Sequence, residues 1–238
     1  MLINCVAYQE GRKLADIAID DIDQWLKQPG CFVWVALRDA TDDELRQMQQ
    51  EFDLHELAVE DARHGHQRPK IEEYGHTLFV VMKLPELRDG ELQTGEVAIF
   101  VGANFVLSVR NGSRQGFLGV RERCEREPEH LKQGAGFVLY ALMDAVVDRY
   151  FPLLDAMETE LEQIEGRIFE RGAARWNIQR LYDLKGRAME LRHAVAPLLE
   201  VAGKLYGGRV PAVCVPSQEY FRDVHDHLAR INAAIDGI

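Results

Sequence analysis

The feature that most constrains this chain is an apolar repeat in its second half. From about Gly134, apolar side chains recur at alternating steps of three and four residues along three stretches. Such a 3.5-residue repeat is typical of long α-helices that pack as a coiled coil, so we predict three long helices. The three stretches are Tyr140, Met143, Val147, Tyr150, Leu154, Met157, Leu161, Ile164 and Ile168; Leu181, Leu184, Ala188, Leu191, Val195, Leu198, Ala202 and Leu205; and Phe221, Val224, Leu228, Ile231, Ile235 and Ile238.

Glycine and proline mark the limits of these helices. Gly172 and the segment from Gly207 to Pro211 predict the turns between them. Pro152 and Pro197 fall inside the repeats, where each removes a backbone donor and should bend its helix locally. At 1.5 Å per residue, the first two helices should each reach roughly 45–50 Å.

The first 110 residues have a different pattern, in which short apolar runs alternate with polar turns. This pattern predicts strands joined by short helices, and Thr41 followed by Glu44 predicts a capped helix start. We therefore predict an α/β fold: an N-terminal domain (1–133) with a mixed sheet and flanking helices, then a long-helix coiled-coil bundle (134–238). Predicted strands are Leu2–Tyr8, Cys31–Leu37, Thr77–Leu84, Glu96–Val101 and Phe105–Val109, and predicted short helices are Asp20–Gln28, one from Thr41 and one from near His55.

Composition narrows the class of protein. The net charge of −11 argues against a nucleic-acid partner, whose phosphates require a basic surface. The sequence lacks an apolar run near the ~20 residues that cross a bilayer, and it lacks a signal peptide. Its four cysteines are widely spaced, which fits a reducing compartment. We expect a soluble, cytoplasmic chain.

Two clusters carry side chains that bind metal ions. On a helix, Glu56, Glu60 and His64 share one face, and Asp223, Asp226 and His227, at i, i+3 and i+4, share another. Carboxylates suit Mg²⁺, and an added imidazole widens tolerance towards Co²⁺, Ni²⁺ or Zn²⁺. The alternative for each cluster is a solvated polar face. The same alternative applies to the acidic stretch of the first long helix.

Catalytic motifs are weak in this sequence. It has no H-E-x-x-H or G-x-S-x-G motif, no phosphate loop and no dinucleotide fingerprint. Nothing nominates a nucleophile, so we expect no enzymatic activity and no catalytic residue. A metal-dependent hydrolase that uses Glu60 and His64 is an alternative, and it would need a concave pocket with an open coordination position.

Four blocks of the sequence match a known pattern in order and rough spacing over essentially the whole chain. They are Phe52–Asp61 with His66–Glu72 and Phe79–Val81; Leu139–Phe151; Leu191–Val201; and Tyr220–His227. Together they resemble the cytoplasmic portion of the CorA family of Mg²⁺ and Co²⁺ channels. The resemblance implies a homopentamer on the cytoplasmic face of the plasma membrane, in which long helices continue into the pore.

The resemblance also implies a set of regulatory metal ligands. Glu60 and Asp61 of one subunit would face Asp223 of its neighbour, and Asp144 would supply a further acidic ligand. The expected ion is Mg²⁺, with Co²⁺, Ni²⁺ and Zn²⁺ as alternatives. The full expected set is Glu60, Asp61, Asp144, Asp223, Asp226 and His227.

The sequence departs from the family pattern in two respects. It ends at Ile238 without a helix stop signal, before the two membrane spans and the Gly-Met-Asn signature. We therefore expect the natural gene to continue, which the downstream DNA would test. His225 stands where the family often has an aromatic residue. Because the pore signature is absent from this sequence, a ZntB-type zinc transporter is an open alternative.

Overall fold

The computed structural model describes residues 1–88, 90–167 and 174–238. In this part of the chain, seven strands form one sheet: β1 (Leu2–Gln9), β2 (Arg12–Asp16), β3 (Cys31–Arg38), β4 (Lys70–Tyr74), β5 (Thr77–Arg88), β6 (Glu91–Val101) and β7 (Phe105–Asn111). Their order is β2-β1-β3-β7-β6-β5-β4. Only β3 and β7, among these neighbouring pairs, run parallel, so the predicted mixed sheet is confirmed.

The two strands at the edges of the sheet, β2 and β4, are not among the predicted strands. β2 and β4 contain no fully buried residue, because an edge strand has a neighbour on one side only. Neither strand therefore has the apolar run that revealed the other five. Both are held by antiparallel pairing, β2 with β1 and β4 with β5.

Three short helices cover one face of the sheet: α1 (Ile22–Leu26), α2 (Asp42–Phe52) and α3 (Glu56–His64). The predicted capping box is present, since the Glu44 amide donates to Thr41 Oγ1 at 3.3 Å and the Thr41 amide donates to Glu44 Oε2 at 2.8 Å. The predicted helix at Asp20–Gln28 is shorter than expected, because a 3-10 turn at Ile19–Asp21 precedes α1.

The remaining helices cover the other face, where the sheet and the long helices share one apolar core. They are α4 (Leu118–Arg126), α5 (Pro128–Leu131), α6 (Ala135–Asp148), α7 (Tyr150–Gly166), α8 (Ala174–Gly207) and α9 (Gln218–Gly237). Gly136 permits a close approach within this layer, since a Cβ there would lie 2.2 Å from the Val213 carbonyl oxygen. The division of the chain at residue 133 stays a prediction.

The first predicted long helix is interrupted, which corrects the expectation of one continuous helix. α6 ends at Asp148 and α7 begins at Tyr150. Pro152 has no amide hydrogen to donate to the carbonyl of Asp148, so one backbone hydrogen bond of the helix is missing where the break occurs. Pro197, by contrast, is accommodated inside the 34-residue α8, which reaches about 51 Å. The predicted turn at Gly172 lies outside the described residues.

The apolar repeats of α8 and α9 form the predicted buried stripe, except that Leu181 near the start of α8 is exposed. Leu184, Leu191 and Leu198 on α8 are almost fully buried, as are Val224 and Leu228 on α9. In the residues described, no helix is both long and apolar enough to cross a membrane.

We predict that Leu191→Ala lowers the free energy of unfolding by about 2–5 kcal/mol, because Leu191 is fully buried and truncation leaves a cavity. The matched control is Leu181→Ala in the same helix, where the side chain is 39% exposed. The control should change stability by only about 0.5 kcal/mol. Urea unfolding followed by circular dichroism measures both. Equal losses in the two variants would contradict the assigned packing of α8.

Candidate metal centre

Three side chains with metal-ligand atoms meet between α6 and α9. Asp144 of α6 and Asp223 and His227 of α9 each place one ligand atom within 4.8 Å of the others. They form the one such group of three or more among the residues that the structure describes. Asp144 and Asp223 are 79 positions apart, so tertiary packing brings them together.

The two ligands on α9 are positioned by helix periodicity and by packing. Asp223 and His227 are separated by four residues, about one turn, and His227 Nε2 lies 3.7 Å from Asp223 Oδ1. The His227 ring packs edge-on against Phe151 of α7, with centroids 5.6 Å apart. Its Nδ1 is buried without a hydrogen-bond partner. The ring therefore packs against Phe151 with Nε2 on the side of the Asp223 carboxylate.

Asp144 is the buried member of this cluster, with 7% of its surface exposed. A buried carboxylate needs a partner to remain charged. Arg123 of α4 is that partner: its Nη2 donates to Asp144 Oδ2 at 2.9 Å. The Arg123 side chain keeps 40% of its surface exposed, so it reaches Asp144 from the solvent side.

Asp148 lies one helical turn beyond Asp144 and adds to the negative potential of the cluster. Although Asp148 is exposed at the end of α6, partial desolvation raises its pKa, and the charges of Asp144 and Asp223 raise it further, while His227 and Arg123 act in the opposite direction. The pKa of Tyr140 is raised to about 12, mainly by burial and then by Asp144. Protonating Asp148 or binding a cation therefore relieves the same repulsion.

The donor set of two carboxylates and one imidazole suits a divalent cation. Oxygen ligands match Mg²⁺, and the imidazole nitrogen also accepts Co²⁺, Ni²⁺ or Zn²⁺. Ligands of one octahedral Mg²⁺ at about 2.1 Å lie roughly 3–4 Å apart. The present spacing of up to 4.8 Å therefore needs only small side-chain movements to close on an ion.

The other three predicted ligands lie outside the cluster. Glu60 is exposed on α3, with its Oε1 3.9 Å from His64 Nδ1. Asp61 accepts a 2.6 Å hydrogen bond from Lys70, which also contacts Glu72 at 2.7 Å. Asp226 is exposed on α9. The Asp226 carboxylate lies 3.5 Å from the His225 ring and 4.0 Å from the Arg222 guanidinium group.

The sheet separates the two groups of predicted ligands within one chain. α3 packs on the face that holds Val33 and Val35, whereas α6 and α9 pack on the face that holds Trp34. Glu60 and Asp61 of α3 therefore belong to a different surface from the cluster of α6 and α9. One ion could contact both groups only if two copies of the chain were in contact.

Two ion pairs that neutralise predicted ligands were not predicted from the sequence. The Arg123–Asp144 and Lys70–Asp61 pairs join residues 21 and nine positions apart, and neither follows a helical or strand period. The extra imidazole at His225 is directed elsewhere, since its ring packs 5.3 Å from Tyr206 of α8. No local signal in the sequence could have identified these pairings.

The geometry gives the hydrolase alternative little support. A cleft of about 370 Å³ lies beside α3, lined by His64, His66, Lys83 and Glu96 among others. Glu60 is on the solvent side, with 60% of its side chain exposed. Lys83 Nζ donates to Glu96 Oε2 at 2.9 Å, so this nearby carboxylate is already paired.

Comparison with known proteins places the chain in a family. Residues 30–238 match the family described as "CorA-like Mg2+ transporter protein". The cobalt/magnesium transport protein CorA of Thermotoga maritima is 34% identical over 188 residues, which cover 78% of this chain and 53% of that protein. YfjQ of Bacillus subtilis is 30% identical over 238 residues, which cover 99% of this chain and 72% of that protein. The chain thus spans about half the length of the Thermotoga relative.

Solved structures agree on the fold. The soluble domain of CorA from Methanocaldococcus jannaschii has a TM-score of 0.73 at 18% identity, covering 100% of this chain and 93% of that one. The cytoplasmic domain of ZntB from Vibrio parahaemolyticus has a TM-score of 0.67 at 14% identity, covering 99% and 91%. At such identities the two structures support the fold alone. The family match over residues 30–238 is decisive, and the chain belongs to the CorA family.

Proposed function

We propose that this chain is the cytoplasmic, metal-sensing part of a CorA-type divalent-cation channel or transporter. The observation that carries the proposal is the Asp144–Asp223–His227 cluster in a chain of this family. Cation conduction would belong to the part of the protein outside this chain. Its relative in Thermotoga maritima is named a cobalt/magnesium transport protein, and we propose Mg²⁺ as the regulatory and transported ion.

A bound cation would act by clamping α6 to α9. Asp144, Asp148 and Asp223 repel one another across this contact, and this repulsion adds to desolvation in raising the pKa of Asp148. A divalent ion replaces that repulsion with attraction and stabilises whichever arrangement keeps the ligands together. The ion thereby biases the domain towards one state, and its release when cytosolic Mg²⁺ falls removes the bias.

Self-association would extend the same site. We propose that copies assemble as a homopentamer, with α3 of one copy facing the cluster of the next. This arrangement would bring Glu60 and Asp61 towards the neighbouring copy's Asp223, the pairing that a single chain separates on two faces of its sheet. Lys70 already neutralises Asp61 at 2.6 Å, so an ion bound there competes with an internal ammonium group.

The alternative within this architecture is a zinc transporter of the ZntB type. The imidazole of His227 favours this alternative, because a nitrogen donor suits Zn²⁺ and Co²⁺ better than Mg²⁺. The fold likeness to the ZntB domain is compatible with either ion. The contribution of His227 to affinity for each metal therefore separates the two assignments.

Asp223→Asn tests the sensor directly. Asp223 is the exposed carboxylate of the cluster, with 58% of its side chain accessible, so the substitution should leave the fold intact. At Mg²⁺ concentrations about 100 times the Kd, binding should stabilise the native chain by about 2.7 kcal/mol, and the variant should lose most of that gain. Urea unfolding with and without MgCl₂ measures the difference.

The matched control is Asp226→Asn, which removes an exposed carboxylate from the same helix but outside the cluster. The control should keep the full stabilisation by Mg²⁺. If Asp223→Asn also keeps it, the cluster does not bind the ion and the proposed site is wrong.

His227→Gln should change the metal preference. Loss of the imidazole should weaken Co²⁺ and Zn²⁺ binding by about tenfold or more, as even supporting groups of metal ligands contribute tenfold to affinity. Mg²⁺ binding should weaken less, because it depends mainly on the carboxylates. Calorimetric titration of each metal gives the comparison, with His225→Gln as the control. Equal losses for Mg²⁺ and Co²⁺ would contradict an ion-selective role for His227.

Asp148→Asn should stabilise the metal-free chain at pH 7. The pKa of Asp148 is raised in the folded state, so folding favours its protonated form. The charged form therefore lowers the stability of the fold, and this effect is complete above the folded pKa. The stabilisation produced by Asp148→Asn should shrink as the pH falls through the folded pKa towards the ordinary value of 3.8. Unfolding experiments in EDTA across this pH range measure the stabilisation, with the exposed Asp155→Asn as control. A gain that is independent of pH would refute the electrostatic explanation.

A further inference from the structure

A second cavity lies on the same face of the sheet as the long helices, away from the metal cluster. Its volume is about 260 Å³, and it is enclosed by β1, β3 and β7 below and by residues 114–121 above. Nothing in the proposed sensor function requires this space. Its lining is unusual for a chain with a net charge of −11.

The cavity exists because a row of small or polar side chains crosses the sheet. The strand register places Asn4, Ala36 and Ser108 side by side on neighbouring strands. The next row on the same face pairs Arg38 with Arg110. Elsewhere this face carries large apolar side chains, so the short residues leave room between the sheet and α4.

Positive charge is concentrated around this cavity. Arg38, Arg110, Arg114 and Arg121 line the cavity, and its described lining residues include no carboxylate. Arg110 is only 7% exposed, and its pKa is lowered by burial and by the positive charge of Arg38, while Asp39 and Glu86 act in the opposite direction. Asp39 pairs with Arg38 at 3.2 Å and Glu125 lies 3.5 Å from Arg121, but neither carboxylate lines the cavity. An anion inside the cavity would add to this compensation from the opposite side of the guanidinium groups.

Two nitrogen donors at the cavity lack a hydrogen-bond acceptor. Trp34 is 2% exposed, and its Nε1 makes no hydrogen bond. An indole N–H can only donate, and buried donors of this kind usually find a partner. Arg121 Nε is also without a hydrogen bond, although Glu125 Oε1 lies 3.5 Å away. Both residues line the cavity, although these two nitrogen atoms themselves have almost no accessible surface.

We propose that this cavity binds a small organic phosphate. The phosphate would accept hydrogen bonds from the arginines, since guanidinium groups match phosphate oxygens in a two-point geometry. Its apolar part would lie against Phe117 and Leu118. The volume of 260 Å³ corresponds to about nine water molecules, enough for a phosphate and a six-membered ring.

Phenyl phosphate is the probe that matches this description. In the 238-residue chain carrying Trp25→Phe and Trp176→Phe, Trp34 is the one remaining tryptophan, and its fluorescence should change saturably on titration. Calorimetry on the unsubstituted chain should give the same Kd. Inorganic phosphate should bind about tenfold more weakly, because it buries no ring. Phenol, which lacks the charge, should not bind measurably.

Matched arginine variants locate the binding. Arg114→Gln and Arg121→Gln should each weaken phenyl phosphate binding by about tenfold or more, the usual contribution of a hydrogen bond to a charged group. Arg126→Gln changes an exposed arginine of α4 that does not line the cavity, and it should leave the Kd unchanged. Absence of saturable binding would overturn the proposal, as would equal Kd values in the Arg114 and Arg126 variants. If inorganic phosphate binds as tightly as phenyl phosphate, the ring contributes nothing to binding, and the proposed contact of an apolar group with Phe117 and Leu118 is wrong.

Discussion

The burial of α6 is the constraint on which the candidate metal centre depends. Eleven of its 14 residues are buried, because the helix lies between the sheet and α9. A helix in that position tolerates a buried carboxylate only if the charge is offset, and Arg123 offsets that of Asp144. The same packing brings Asp223 and His227 to Asp144, so the geometry of the cluster follows from the apolar contacts around α6.

Arg123 also limits how tightly the cluster can bind a cation. An ion at Asp144 must share or displace the guanidinium, whose 2.9 Å hydrogen bond already satisfies one carboxylate oxygen. Displacement is feasible because the Arg123 side chain is partly exposed and can return to water. Competition of this kind lowers affinity, and low affinity is what the proposed sensor needs if it is to empty when free Mg²⁺ falls.

Much of the fold, but less of the candidate site, could be predicted from the sequence. Three features depend only on local spacing, which the sequence displays directly. They are the apolar stripes of α8 and α9, the capping box at Thr41, and the four-residue spacing of Asp223 and His227. Family resemblance supplied Asp144, which no spacing could connect to α9. The edge strands lacked an apolar signal, and the contacts of Arg123 and Lys70 depend on tertiary packing that a linear pattern does not encode.

α4 connects the metal cluster to the arginine-lined cavity. Arg123 on this helix holds Asp144, while Arg121, two residues earlier, lines the cavity. An ion that displaces Arg123 removes one of the contacts that fix α4 against α6. Any resulting movement of α4 changes the position of Arg121, and an anion held by Arg121 resists that movement. Because coupling between two binding equilibria is reciprocal, occupancy of the cavity would then alter the affinity of the cluster for its ion by the same factor.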